Sequence, residues 1–170
     1  LALAETLRGI ERPGDFCAQG TLGGVLPRVD VDGFGPLPLP FPPALLESLA
    51  SLATQAPYGR GTDTLVDPDV RRCLQIEARS IDLPTRIWAP LLATLTEQAA
   101  FGLGVVGTAQ AELYKLLIYQ EGDFFLPHRD SEKAPGMFGT LVVVLPCAFE
   151  GGELVVEHQG ERRTLSLRAE

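Results

Sequence analysis

Tyr119-Gln120-Glu121-Gly122-Asp123-Phe124-Phe125-Leu126-Pro127-His128-Arg129-Asp130 is the stretch on which the reading of this 170-residue chain turns. It leaves a strand-like run of aromatic and branched residues at 112–119 and turns at Gly122, where glycine tolerates a positive φ at no steric cost. It then passes a short apolar segment, 124–126, before reaching His128, one of only two histidines in the chain. If 128–130 is extended, alternate residues share a face, so the imidazole and the Asp130 carboxylate point the same way. Such a pair, joined by a distant histidine, makes a facial ligand set that leaves three positions open on iron(II). On its own an HxD tripeptide is weak evidence, because a surface ion pair is its usual meaning.

The sequence after Asp130 continues the strand pattern. Residues 138–145 contain Leu141-Val142-Val143-Val144-Leu145, which predicts a buried strand stopped by Pro146. Short strands are expected at 153–157 and 163–167, with turns at Gly151-Gly152 and Gly160. Upstream the period changes to that of helices. Leu45, Leu46, Leu49 and Leu52 predict a helix over 43–53 after a proline start, and Leu91, Leu92, Leu95 and Ala99 another over 88–101, ended by Gly102 and Gly104. Between them, 57–61 breaks the chain, and 70–74 reads as a turn of helix or a strand. Prolines alternating with apolar residues over 35–43 make a stiff extended segment, either an arm packed along the domain or a proline-rich ligand for another module. Helices first and closely spaced strands after them point to an α+β or helix-decorated all-β domain.

Composition sets the outer bounds. With 45% hydrophobic and 21% charged residues the chain can bury a core and is neither a disordered tail nor a disulfide mini-protein. Fourteen basic and 22 acidic side chains give a net charge of -8, scattered from Glu5 to Glu170, which argues against general binding of a phosphate backbone. Cys17, Cys73 and Cys147 are odd in number and widely spaced, as suits small apolar thiols in a reducing cytoplasm. No apolar run is long enough to span a bilayer, and nothing reads as a secretory signal. The start Leu1-Ala2-Leu3-Ala4, without methionine, fits part of a longer protein.

The pattern Y-x-x-G-x-x-[FY]-x-x-H-x-D over 119–130, followed by an apolar strand and by Phe149-Glu150-Gly151-Gly152-Glu153-Leu154, resembles the prolyl 4-hydroxylase-like branch of the iron(II)/2-oxoglutarate-dependent oxygenases. The specific similarity covers residues 112–160; residues 134–141 look similar too, and 56–59, Thr64 and Val70-Arg71 do so more loosely. The resemblance implies an α+β chain whose core is a double-stranded β-helix, or jelly roll. Residues 1–107 would form an extended arm and helical support, and 108–170 the first part of the barrel, all in one structural domain. About sixty residues hold fewer than eight strands of 5–6 residues each with their turns, so the barrel is expected to be incomplete at its C-terminal end.

The same resemblance implies an enzyme that couples oxidative decarboxylation of 2-oxoglutarate to hydroxylation of a C–H bond in a peptide side chain or small molecule. His128 and Asp130 would bind Fe(II). Tyr119 would place its hydroxyl on 2-oxoglutarate or else form an aromatic wall, and Thr140 would touch the co-substrate or bond to backbone. Phe125 and Phe149 read as core packing, and Lys133 as a solvated loop lysine or a carboxylate partner. A second histidine, followed about ten residues later by a carboxylate-anchoring arginine, is expected beyond Glu170. His158 is a poor topological match to that ligand, and Arg162-Arg163 follow it too closely to be the anchor. Two other readings stand beside the oxygenase: a catalytically inactive oxygenase-like binding or regulatory module, and a cupin-like metalloprotein.

Overall fold

The computed structural model describes residues 14–23, 27–60 and 63–167. The Leu1–Ala4 start, the arm before Gly14, Gly61, Glu5 and Glu170 lie outside them. The chain is mixed α and β, with short strands in small antiparallel sheets. In order it runs β1 (Asp30–Val31), β2 (Gly35–Pro36), a 3-10 turn (Pro43–Leu45), α1 (Leu46–Ala50), β3 (Thr54–Gln55), β4 (Tyr58–Arg60) and β5 (Asp63–Leu65). There follow β6 (Arg71–Arg72), β7 (Leu74–Glu77), a 3-10 turn (Ala78–Ser80), β8 (Ile81–Asp82) and α2 (Thr85–Gly102). The chain ends in β9 (Lys115–Ile118), β10 (Phe124–Phe125), β11 (Leu154–His158) and β12 (Glu161–Leu165).

α2 is the longest element, and its sequence explains both ends. Pro84 precedes it, and Trp88, Leu91, Leu92, Leu95 and Ala100 recur along its inner side. At the C-terminus Gly104 adopts φ 66°, its amide donates to Phe101 O at 3.0 Å, and Val105 N donates to Ala100 O at 2.8 Å. This paired 5→2 and 6→1 closure needs a left-handed residue after the cap, which glycine supplies without a Cβ penalty. The Trp88 indole is buried and donates Nε1–H to the Arg28 carbonyl at 2.7 Å, tying the helix to the segment that leads into β1.

Val29, Val31, Leu37, Leu49, Ile76, Trp88 and Ile118 form the core, flanked by Phe34, Phe41, Leu74, Leu91 and Leu116. Two three-stranded sheets contribute to it, β2-β1-β8 and β3-β7-β9. β7 pairs with β9 so that Leu74 faces Ile118 and Ile76 faces Leu116. Outside the core, β6 pairs with β10 and β11 with β12. The proline-rich arm does pack on the domain: Leu37 is buried, and Phe41 N donates to Pro146 O at 2.7 Å.

Two expectations are corrected here, and one open reading is decided. The helix predicted over 43–53 is α-helical only at Leu46–Ala50, because the prolines at its start leave a 3-10 turn and Leu52 gives way to β3. Of the two readings of 70–74, the strand forms, at Arg71–Arg72 and again from Leu74. The second correction is the larger: 138–145 forms no ladder, and Val142 is 57% exposed. Apolar, β-branched residues favour a strand, but burial needs a partner sheet, and among the described residues none covers this run. Its end is anchored to the core, where Leu145 packs and Cys147 just beyond it bridges to Phe41. A complete jelly roll is therefore not formed by the described strands.

Candidate metal-binding site

The candidate site grows from the turn between β9 and β10. Asp123 N donates to Gln120 O at 3.0 Å, Gln120 N donates to Asp123 Oδ2 at 2.9 Å, and Gly122 takes φ 77°. The glycine thus does what the sequence asked of it. β10 then pairs with β6, placing Phe125 opposite Arg71. One residue on, Leu126 N donates to Val70 O at 3.0 Å, and the chain leaves the ladder towards His128.

His128 and Asp130 lie on a loop and not on a strand, yet their side chains meet, with Nε2 3.4 Å from Asp130 Oδ1. The local cause is a contact of Nδ1 with the Leu126 carbonyl oxygen at 2.9 Å, which suits the tautomer carrying its proton on Nδ1. Nε2 then presents a lone pair to the carboxylate side. At 3.4 Å the pair exceeds the usual hydrogen-bond range of about 2.7–3.2 Å. Two atoms bound to one cation at about 2.1 Å each stand roughly 3 Å apart when adjacent. Both residues are exposed, so the cation side is open to solvent.

Thr140 differs from its expected setting. It is exposed, and its hydroxyl donates to Asp130 Oδ2 at 2.6 Å instead of bonding to backbone. One carboxylate oxygen is thereby held and the other faces His128. A ring nitrogen held by a carbonyl and a carboxylate held by a hydroxyl are the outer partners that orient metal ligands. The donor set fits a divalent cation that accepts imidazole and carboxylate, iron(II) among them. Among the described residues no group of three His, Cys, Asp or Glu side chains stands ready to hold a metal.

Tyr119 is half-exposed, and its hydroxyl lies by Cys73 and Arg71. Burial first, and the neighbouring Cys73 thiol second, push its pKa up to about 12, against the opposite pull of Arg71. The phenol therefore stays a protonated donor throughout the neutral range. Phe125 stacks on the His128 imidazole, with centroids 3.5 Å apart, in place of the plain core packing expected of it. Phe149 is partly buried against Gly152, and Lys133 is a loop lysine donating to Ser131 Oγ at 2.8 Å.

The other histidine stands in a different cluster. His158 ends β11 and stacks on Phe16 at 5.6 Å, beside a cleft of about 390 Å³ lined with Asp15 and Glu161. Arg163 pairs with Asp15 and, at 2.6 Å, with Glu161. That pairing holds the Asp15 carboxyl below its ordinary range, chiefly through the hydrogen bond from Arg163. Arg162-Arg163 thus decorate a hairpin, as their spacing suggested.

Sequence reasoning missed Arg71 as a site residue. It is 7% exposed, donates through Nη1 to Pro57 O at 2.8 Å, and places its guanidinium 4.4 Å from the Phe125 ring centroid. Nothing local marks it, since a two-residue strand shows no period and Arg72 beside it is exposed. No family model matches the chain, and neither a curated protein nor a solved structure matches it.

Proposed function

We propose that His128 and Asp130 are two iron(II) ligands of a 2-oxoglutarate-dependent dioxygenase of the prolyl 4-hydroxylase-like kind, on a chain whose strands belong to a double-stranded β-helix. The observation that carries this reading is the oriented pair: Nδ1 engaged by the Leu126 carbonyl at 2.9 Å, and Nε2 turned to Asp130 Oδ1 at 3.4 Å. The motif over 119–130 supports it independently. Iron(II) with 2-oxoglutarate supplies the oxidising chemistry for a C–H bond when bound. His128 contributes a neutral nitrogen donor, and Asp130 a negative charge that lowers the net charge of the site. Thr140 keeps the carboxylate from rotating. Tyr119, protonated and half-exposed, offers its hydroxyl to a carboxylate of the co-substrate. The resemblance places a third ligand, a histidine, on a later strand.

A peptide side chain or a small molecule is the substrate class this reading takes. The net charge of -8 disfavours nucleic acid in general. Among the described residues no helix is long and apolar enough to cross a membrane. The thiols of Cys17, Cys73 and Cys147 are free, which suits a reducing cytoplasm.

Anaerobic calorimetric titration with iron(II), then with 2-oxoglutarate, tests the proposal. The full-length protein is expected to bind both in that order, and its His128→Ala and Asp130→Ala variants to lose iron binding about tenfold or more. Unchanged iron affinity in either variant overturns the ligand assignment. Failure of the full-length protein to bind iron favours the catalytically inactive binding module instead.

A further inference from the structure

β6 forms the wall behind the histidine loop, and Arg71 is its buried residue. The guanidinium is fixed by the Pro57 carbonyl at 2.8 Å and by Cys73 Sγ, 3.1 Å from Nε. Its backbone carbonyl accepts from Gln55 Nε2 at 2.8 Å. Among the described residues no carboxylate pairs with it. A cation held in the interior by a carbonyl, a thiol, the Tyr119 phenol and an aromatic face is costly to bury, and an apolar residue would fill the space at less expense. What the guanidinium adds is its contact with the Phe125 ring, 4.4 Å from carbon to centroid.

That ring is the platform of the imidazole. Phe125 and His128 stack with centroids 3.5 Å apart and planes inclined by 19°. The backbone repeats the same path, since Arg71 pairs with Phe125 and Leu126 N is held by Val70 O, while Leu126 O faces His128 Nδ1. The imidazole belongs to no ladder and is exposed; on its own loop only the Leu126 carbonyl and Asp130 face its edge, and the Phe125 ring covers its face.

We propose that Arg71 is a positioning residue for His128: through the face of Phe125 it holds the imidazole in one orientation, with Nε2 towards Asp130. The positioning is a property of the metal-free chain. Its use in binding a metal rests on the iron(II) reading above.

The test reads the imidazole proton resonances of the two histidines in the metal-free protein, at a pH that keeps both rings neutral. Stacking on an aromatic face moves these resonances upfield, and His158, stacked on Phe16, serves as an internal reference far along the chain. Arg71→Met is expected to move the His128 resonances towards unfolded-chain positions while leaving those of His158. Arg71→Lys, which keeps a cation for the ring, is expected to restore most of the shift, and Phe125→Leu to abolish it. A His128 signal unmoved by Arg71→Met, or by Phe125→Leu, overturns the proposal. Should Arg71→Met lose the His158 shift as well and prove unfolded, Arg71→Lys decides: a folded lysine variant without the His128 shift also overturns it.

A cobalt(II) titration followed by visible absorption separates this proposal from the reading it rests on. Arg71→Met should weaken cobalt binding about tenfold, with most of the affinity recovered in Arg71→Lys. Undiminished affinity in Arg71→Met counts against Arg71. Absence of cobalt binding in the unmodified protein counts against the metal reading, and the resonance result then decides the positioning alone.

Discussion

The Thr140 hydroxyl donates to Asp130 Oδ2 at 2.6 Å, across a ten-residue excursion of the chain, and so fixes which carboxylate oxygen faces His128. Replacing Thr140 with Val keeps the shape and removes the donor. The residue is exposed, so little folding energy is at stake. We expect Thr140→Val to weaken iron(II) or cobalt(II) binding about tenfold and Thr140→Ser to stay near the unmodified protein. Equal affinities for Thr140→Val and the unmodified chain, measured by anaerobic titration, would show the hydroxyl idle.

Tyr119 should ionise late, since burial and Cys73 push it up to about 12. Below about pH 10 the phenol is protonated in both folded and unfolded chains. Between that point and pH 12 the unfolded chain loses the proton first, so the folded state binds more protons and stability falls as pH rises. Phenolate absorbance should therefore show a late step that Tyr119→Phe removes. The variant should also flatten the decline in stability over the same window. A late step that survives in Tyr119→Phe would show that Tyr119 does not carry it.

How far the sequence reached follows from which forces are local. α2 was legible because Trp88, Leu91, Leu92 and Leu95 carry the helical period and Gly104 closes the helix with a left-handed turn. β9 and the β11–β12 hairpin were legible to within a few residues for the same kind of reason, with Gly160 at φ 82° turning the hairpin. Strands of two residues, such as Asp30–Val31 and Arg71–Arg72, carry no period at all, and their pairing partners lie far along the chain. In the candidate site, His128 and Asp130 were read from their spacing together with the motif around them, and a loop and the Leu126 carbonyl, not a strand, bring their side chains together. Arg71 was not, because its burial is decided by Pro57, Cys73 and Phe125, and only Cys73 is a near neighbour.

Trp88 joins α2 to the core through packing and one hydrogen bond, to the Arg28 carbonyl at 2.7 Å. Trp88→Phe keeps most of the ring and leaves that carbonyl without its donor, at a cost of about 1–3 kcal/mol. Trp88→Ala adds a cavity and should cost about 3–5 kcal/mol. Urea denaturation followed by circular dichroism measures both. Equal losses in the two variants would mean that the indole N–H, and not the ring, carries the whole contribution.

The run Leu141–Leu145 is where pattern and structure part, and a single substitution decides between them. Its residues are the most strand-like in the chain, yet Val142 is 57% exposed and pairs with nothing described, while Leu145 at its end packs on the core. If exposure governs, Val142→Lys in this 170-residue chain changes unfolding free energy by no more than about 0.5 kcal/mol. A buried barrel strand would instead have to take an unpaired ammonium into its interior, a cost of several kcal/mol. Ile118→Ala is the matched control: at 5% exposure in the core it should lose about 2–5 kcal/mol. Urea titration of the two variants separates the cases, because the control fixes what burial costs in this protein. A loss for Val142→Lys as large as that of the control would place the run inside a closed sheet.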